Sequence, residues 1–192
     1  MSVPEGLSPL VEPLAAVQHL LTRFQEKGII IGGVAASLLG RPRLTADVDV
    51  VMLLSLDDVP YLLDAAKQEG LLPRLSDVAD FARRHRVVLL RHQATGIDVD
   101  ISLGIIPFEE EAVERGVLHR VGTLDVRLPT VEDLIILKAV AHRSKDLLDI
   151  QALIESHPDL DHRRIQRWVR EFAEALEMPE LWDDIAAWIK RG

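Results

Sequence analysis

Through the first two thirds of the chain, short apolar runs alternate with amphipathic stretches; from Thr130 onward the spacing is helical throughout. Leu14, Val17, Leu20, Leu21 and Phe24 form a stripe that predicts a helix over residues 13–27, with Gly28 ending it in a left-handed conformation. The run IIIGG is β-branched, too short for a helix, and closed by two glycines, so it reads as a strand. VAASLLG follows as a short helix stopped by Gly40, and residues 46–54, ADVDVVMLL, read as a mainly buried strand. Ser55 is a good cap for a helix over 56–69, and a further helix is expected over 76–84. RVVLLRH and IDVDISL are strands joined by the turn QATG. Pro107 opens a short acidic helix ending near Gly116, and VLHRV and TLDVRL suit a hairpin about Gly122.

Thr130 starts TVED, a capping-box-like sequence, and LIILKAVAHR continues it as a helix. Further helices are expected over 144–157, 161–178 and 179–190, with Trp168, Phe172, Trp182 and Trp188 supplying most of their aromatic packing. The pattern predicts an α/β (α+β) fold with a C-terminal helical bundle. Its expected division is a core over 1–129 and a helical region over 130–192 packed on that core.

The 192 residues suit one domain, or a small α/β core with a helical annex, and 48% hydrophobic content excludes a disordered chain. Acidic residues outnumber basic ones 31 to 22, for a formal charge of −9. That field repels phosphate backbones and argues against general DNA binding, while leaving room for a local basic groove. Cysteine is absent, which removes disulfides, thiolate zinc sites and a catalytic thiol. The longest apolar stretch, residues 28–40, falls short of the ~20 residues of a membrane span. The leading residues lack a basic region followed by an apolar core, so no signal peptide is expected and the chain reads as cytoplasmic.

The informative chemistry lies in IIIGGVAASLLGRPRLTADVDVVML. Gly32 and Gly33 follow a strand at the mouth of a helix, where backbone N–H groups can grip a phosphate. Such a pair alone is weak evidence, and a plain turn is its more common explanation. Asp47 and Asp49 share one face of their strand while Val48 and Val50 share the other. Adjacent like charges are unfavourable unless a cation or protons lie between them, and a hard divalent metal such as Mg²⁺ would serve. The competing reading is a solvated strand face. In GIDVDIS, however, Asp98 and Asp100 repeat the arrangement. If the two strands are neighbours, three or four carboxylates converge, as a two-metal phosphoryl-transfer site requires.

The sequence hGG, a short helix, RxRxTxDhDh and a later hDh strand resembles the nucleotidyltransferase fold of the DNA polymerase β superfamily. The resemblance is closest to minimal AbiEii/AbiGii-toxin-like nucleotidyltransferases. VDISLGIIPFEEEAVERG and LKAVAHRSKDLLDI extend it, over roughly residues 32–153. It implies a mixed sheet flanked by helices and Mg²⁺- or Mn²⁺-dependent transfer of a nucleoside monophosphate from an NTP to RNA, protein or a small molecule. An antitoxin partner is a further implication. By the same resemblance Gly32 and Gly33 hold the triphosphate, with Arg43 and Thr45 beside them. Asp47 and Asp49 bind the metals, and Asp100 joins one metal and helps to activate the attacking hydroxyl. Asp98 is the alternative or assistant to Asp100. One departure is Gly33, where the wider superfamily often has serine, so a hydroxyl contact to phosphate would be missing.

Lys138 interrupts an apolar run, where simple burial would be costly. It shares a face with Lys145 if the two segments form one helix; otherwise it snorkels at the core edge. The resemblance favours both lysines facing the triphosphate or organising the site, with Asp146 and Asp149 fixing the helix. ARRHR and DHRRIQRWVR are basic clusters that could touch a polynucleotide, yet such charge runs are more often solvated faces. The seven histidines show no zinc-binding spacing.

Overall fold

A computed structural model describes residues 5–189; the predicted helix end at Lys190 and the first four residues of the N-terminal segment lie outside them. The chain forms two compact units. One takes the residues up to Val34 with Arg43–Pro129, and the other takes Ala35–Pro42 with the residues from Thr130 onward.

In the first unit a 3-10 segment, Glu5–Leu10, leads into α1, Val11–Arg23. The apolar stripe places the end of this helix at Lys27, yet it stops at Arg23. Gln25 and Glu26 both turn left-handed, at φ 58°, and the Glu26 carboxylate accepts from Thr22 Oγ1 at 2.8 Å. Gly28 therefore does not cap the helix; it opens β1, Gly28–Ile31. A Cβ on Gly28 would lie 2.6 Å from the Val51 carbonyl oxygen, so close strand approach requires glycine there.

The sheet holds β1, β2 (Asp47–Met52), β3 (Leu71–Pro73), β4 (Val87–His92) and β5 (Asp98–Leu103) in the order β1-β2-β5-β4-β3. Only β2 and β5 run parallel; the other neighbours are antiparallel. β3 is too short to show a periodicity in sequence, and its Pro73 suits an edge position. Val48, Val50, Val99 and Ile101 are buried on one face of the central pair, which commits the alternate residues to the other face.

The helix expected over 56–69 is divided. Ser55 donates from both its backbone N and its Oγ to Asp58, holding a single 3-10 turn, and α3 begins only at Val59, with Pro60 in its first turn (Val59–Gln68). α4 spans Val78–His85 and α5 spans Pro107–Glu114. The hairpin forms as β6 (Val117–Val121) and β7 (Leu124–Leu128) about Gly122, at φ 63°. α1 packs against β2, β7 and α3, and Gln18 accepts from the Arg127 backbone N–H at 3.0 Å.

A short helix, α2, spans Gly32–Leu39; it starts in the first unit and ends in the second. The second unit also holds α6 (Val131–Ala141), α7 (Ser144–Ser156), α8 (His162–Ala175) and α9 (Glu180–Ile189). Thr130 caps α6 by accepting from the Asp133 N–H at 3.3 Å. Trp168 and Trp182 are buried in this unit, and buried Asp133 accepts from Arg164 at 2.7 Å. One basic residue of the α8 cluster is thereby structural. No helix among the described residues is long and apolar enough to cross a membrane. A mixed sheet with helices, followed by a helical C-terminal part, is the α+β class that the pattern predicts.

Candidate active site: a carboxylate patch on the parallel strand pair

The parallel register puts Asp47 beside Asp98 and Asp49 beside Asp100. With neighbouring strands about 4.8 Å apart, four carboxylates occupy adjacent positions on the face opposite the buried valines. Folding this patch requires each charge to be met by a counter-charge, a hydrogen bond or water.

Each carboxylate meets that requirement differently. Asp98 accepts from Arg74 at 2.6 Å and from Arg91 at 2.7 Å. The hydrogen bond from Arg91, helped by the positive charge of Arg74, holds its carboxyl below the ordinary range. Asp100 also accepts from Arg74. It is half-buried, and burial pushes its carboxyl above the ordinary range despite Arg74, with the negative charges of Asp98 and Asp47 adding to the rise. Asp47 is exposed and accepts from the Thr45 hydroxyl at 3.1 Å. Asp49 lies against the glycine turn.

That turn is shaped by the patch. Gly32 has φ 66°, and a Cβ there would overlap the Asp49 carboxylate, its Cγ only 2.7 Å away. A Cβ on Gly33 would collide with the Thr45 side chain, whose Cβ would be 2.9 Å distant. Arg43 borders the same place: its Nη2 would be 3.4 Å from a Gly33 Cβ, and its Nη1 donates to the Leu44 carbonyl at 3.3 Å. The Thr45 hydroxyl thus occupies the space that a serine side chain at position 33 would enter. Gly32, Gly33, Arg43, Thr45, Asp47, Asp49, Asp98 and Asp100 are gathered in one unit at one end of the parallel pair.

The two lysines lie in the other unit. His142, at φ 50°, ends α6 and breaks the continuous helix on which Lys138 and Lys145 would share a face. Lys138 is 3% exposed, and its Nζ donates to Asp146 at 3.1 Å and Asp149 at 2.7 Å. Asp149, four residues after Lys145, is therefore engaged by Lys138. Burial raises the Asp146 carboxyl, but hydrogen bonds from Arg143 and Lys138 outweigh it and hold the group low. Lys145 is exposed on α7.

Hard carboxylate oxygens at Asp47, Asp49 and Asp100 suit Mg²⁺ or Mn²⁺ in donor chemistry. Among the described residues, however, no three His, Asp or Glu side chains are drawn close enough to hold a metal. The guanidinium of Arg74 lies across Asp98 and Asp100, and Asp98 is further engaged by Arg91. Of the four carboxylates expected to be ligands, Asp98 is thereby committed to two arginines. Sequence patterning passes over Arg74 because it follows β3, a three-residue strand with no periodic signal. Its Nε is buried with no hydrogen-bond partner among the described residues. Arg74 and Arg91, with Leu72, Pro73 and Gln93, line a cleft of about 400 Å³.

None of the curated proteins matches the chain by sequence. Among solved structures, the chain is similar in fold to an antigenic nucleotidyltransferase-like protein from Paracoccidioides brasiliensis. The TM-score is 0.58 at 17% identity, covering 95% of this chain and 93% of that one. It is also similar to the antibiotic-resistance factor ANT(2'')-Ia, with a TM-score of 0.54 at 14% identity, covering 88% of this chain and 95% of that one. A candidate nucleotidyltransferase from H. pylori gives a TM-score of 0.51 at 16% identity, covering 96% and 83%. These likenesses concern the fold. The sequence profile described as "Nucleotidyl transferase of unknown function (DUF2204)" matches residues 13–180. With a match over most of its length, and with paired aspartates on a parallel strand pair beside a glycine turn, the chain belongs to that nucleotidyl transferase family.

Proposed function

We propose that the carboxylate patch transfers a nucleoside monophosphate from an NTP to an acceptor hydroxyl, and that Asp47, Asp49 and Asp100, which are not drawn together in the absence of a metal, would close around the Mg²⁺ or Mn²⁺ it needs. The observation that carries this is the β2–β5 register, which sets Asp49 beside Asp100 and next to the Gly32 turn. A divalent metal bound there would neutralise charge building up on the phosphoryl oxygens. The backbone N–H groups at the start of α2 face the triphosphate, and Arg43 and the Thr45 hydroxyl border it. Thr45 supplies the hydroxyl that Gly33 lacks. Asp100, beside Asp49 on the neighbouring strand, accepts the proton of the attacking hydroxyl. The acceptor oxygen bonds to the α-phosphorus as the α–β phosphoanhydride breaks, and pyrophosphate leaves. In the other unit, Lys138 organises α6 and α7 through its two aspartates.

Purified protein incubated with each NTP and Mg²⁺ should release pyrophosphate when an extract supplies the acceptor. The D47A/D49A double variant should not. Equal release from both proteins would sink the proposal.

The Arg74 contact to Asp98 and Asp100 favours a second reading, a nucleotide- or partner-binding module without turnover. Calorimetry with each NTP separates the two, since tight binding without pyrophosphate release would select the module. We further propose a toxin role with an antitoxin partner, which rests on the AbiEii/AbiGii-like motifs. Expression of the chain alone in a bacterium should arrest growth, and unimpaired growth would contradict it.

A further inference from the structure

The sheet lays out the parts of this site in order. The glycine turn leaves β1, Asp47 and Asp49 stand on β2, and Asp100 stands on β5. Beyond β5 come β4, carrying Arg91, and β3, which ends just before Arg74. In-line displacement at the α-phosphorus requires the attacking oxygen to approach opposite the departing pyrophosphate. With the triphosphate on the β1 side and the carboxylates of β2 and β5 next to it, the acceptor lies over β4 and β3. The cleft bounded by Leu72, Pro73, Arg74, Arg91 and Gln93 is in that position, and its volume of about 400 Å³ is within the range of small-ligand sites.

We propose that this cleft is the acceptor subsite and that Arg74 and Arg91 select an acceptor carrying a phosphate group near its reactive hydroxyl. The inference rests on the nucleotidyl-transfer reading of the neighbouring carboxylates. Both lining charges are guanidiniums, whose forked N–H donors match phosphate oxygens. Two carboxylates answer them, Asp98 for both and Asp100 for Arg74. Once Asp100 serves the reacting centre, two guanidiniums share Asp98 alone and the cleft gains a net positive charge. Arg74 Nε adds a buried donor with no hydrogen-bond partner among the described residues. Arg91 has 55% of its side chain exposed and can turn a donor outward. A polycationic polyol would meet two like charges there.

Isothermal titration of the full chain tests this after Mg²⁺ and α,β-methylene-ATP have filled the triphosphate side. The injected probes are ribose 5-phosphate, ribose, a short single-stranded RNA and kanamycin. Ribose 5-phosphate or the RNA should bind, and ribose and kanamycin should not. Binding should weaken at least ten-fold in R91Q and persist in R91K, while affinity for the NTP analogue stays the same and both variants remain folded. Binding of ribose 5-phosphate identifies a small phosphorylated acceptor; binding of the RNA alone identifies a nucleic-acid end. Kanamycin binding as tightly as the phosphate probes, no binding of either phosphate probe, or R91Q without effect would each overturn the acceptor class while leaving nucleotidyl transfer standing. Failure of the α,β-methylene analogues of all four NTPs to bind would overturn the underlying reading and the acceptor role with it.

Discussion

Asp98 and Asp100 are two residues apart on one strand, yet their surroundings drive them in opposite directions. Asp98 is held low by Arg91 and Arg74, so its stabilising contribution is present above the unfolded carboxyl value and is lost as pH falls through the folded one. Asp100 is raised by burial, so its contribution is fully present below the unfolded value and is lost as pH rises through the folded one. At neutral pH, D98N should therefore destabilise the protein by about 1 kcal/mol or less, in the range of partly exposed ion pairs. D100N should raise the melting temperature without metal, and both differences should fade below the carboxyl range. Thermal melts across pH check the signs; a stabilised D98N would contradict the assignment. Gly33 offers a second test, because a serine there meets Thr45. G33S should lose about 1–3 kcal/mol through overpacking, and T45A in the same protein should restore most of it. Denaturant titration of the single and double variants measures that coupling.

At the scale of elements, the chain's breaks matter as much as its helices and strands. The turn between α6 and α7 lets Lys138 reach back to Asp146 and Asp149, a buried charge cluster in which Asp146 is fully enclosed. Removing one partner leaves the others buried and uncompensated, so K138M should cost about 3–5 kcal/mol in urea denaturation. A change below 1 kcal/mol would show that the cluster is structurally idle. How far the sequence reveals these elements follows from their length. Strands such as DVDVVM and DVDISL declare themselves through alternation, and that alternation also shows which aspartates share a face. The register joining Asp47 to Asp98 is invisible in the chain, because pairing depends on residues some fifty positions apart. β3 has three residues and no period, so Arg74 escapes notice with it. The αL residues Gln25, Glu26 and His142 are likewise hidden, because hydrogen bonds hold them in a conformation that their side chains do not advertise. Gly28 and Gly33 are visible as glycines, but what presses on them is seen only in three dimensions.

At the scale of the molecule, the formal charge of −9 is unevenly placed. Four carboxylates lie together on one sheet face, with two arginines on the far side of that face and the Gly32–Gly33 turn on the near side. The global acidity still argues against a general nucleic-acid binder, and a local phosphate site is compatible with it. Ligation of Mg²⁺ by the folded patch predicts a melting temperature that climbs with Mg²⁺. The gain at a hundred times the dissociation constant is about 2.7 kcal/mol, and it should vanish in D47N while that variant's fold stays intact. A Mg²⁺ response retained in D47N would move the metal elsewhere. The central claim, that this patch moves a nucleoside monophosphate, is tested most directly by following two labels. The protein is incubated with Mg²⁺, cell extract and NTP carrying ³²P at either the α or the γ position, with wild type beside D47N. The α label should remain on an acceptor and the γ label should leave as pyrophosphate, with transfer at least a hundred-fold lower in D47N. Retention of the γ label, or equal α labelling by D47N, would contradict it.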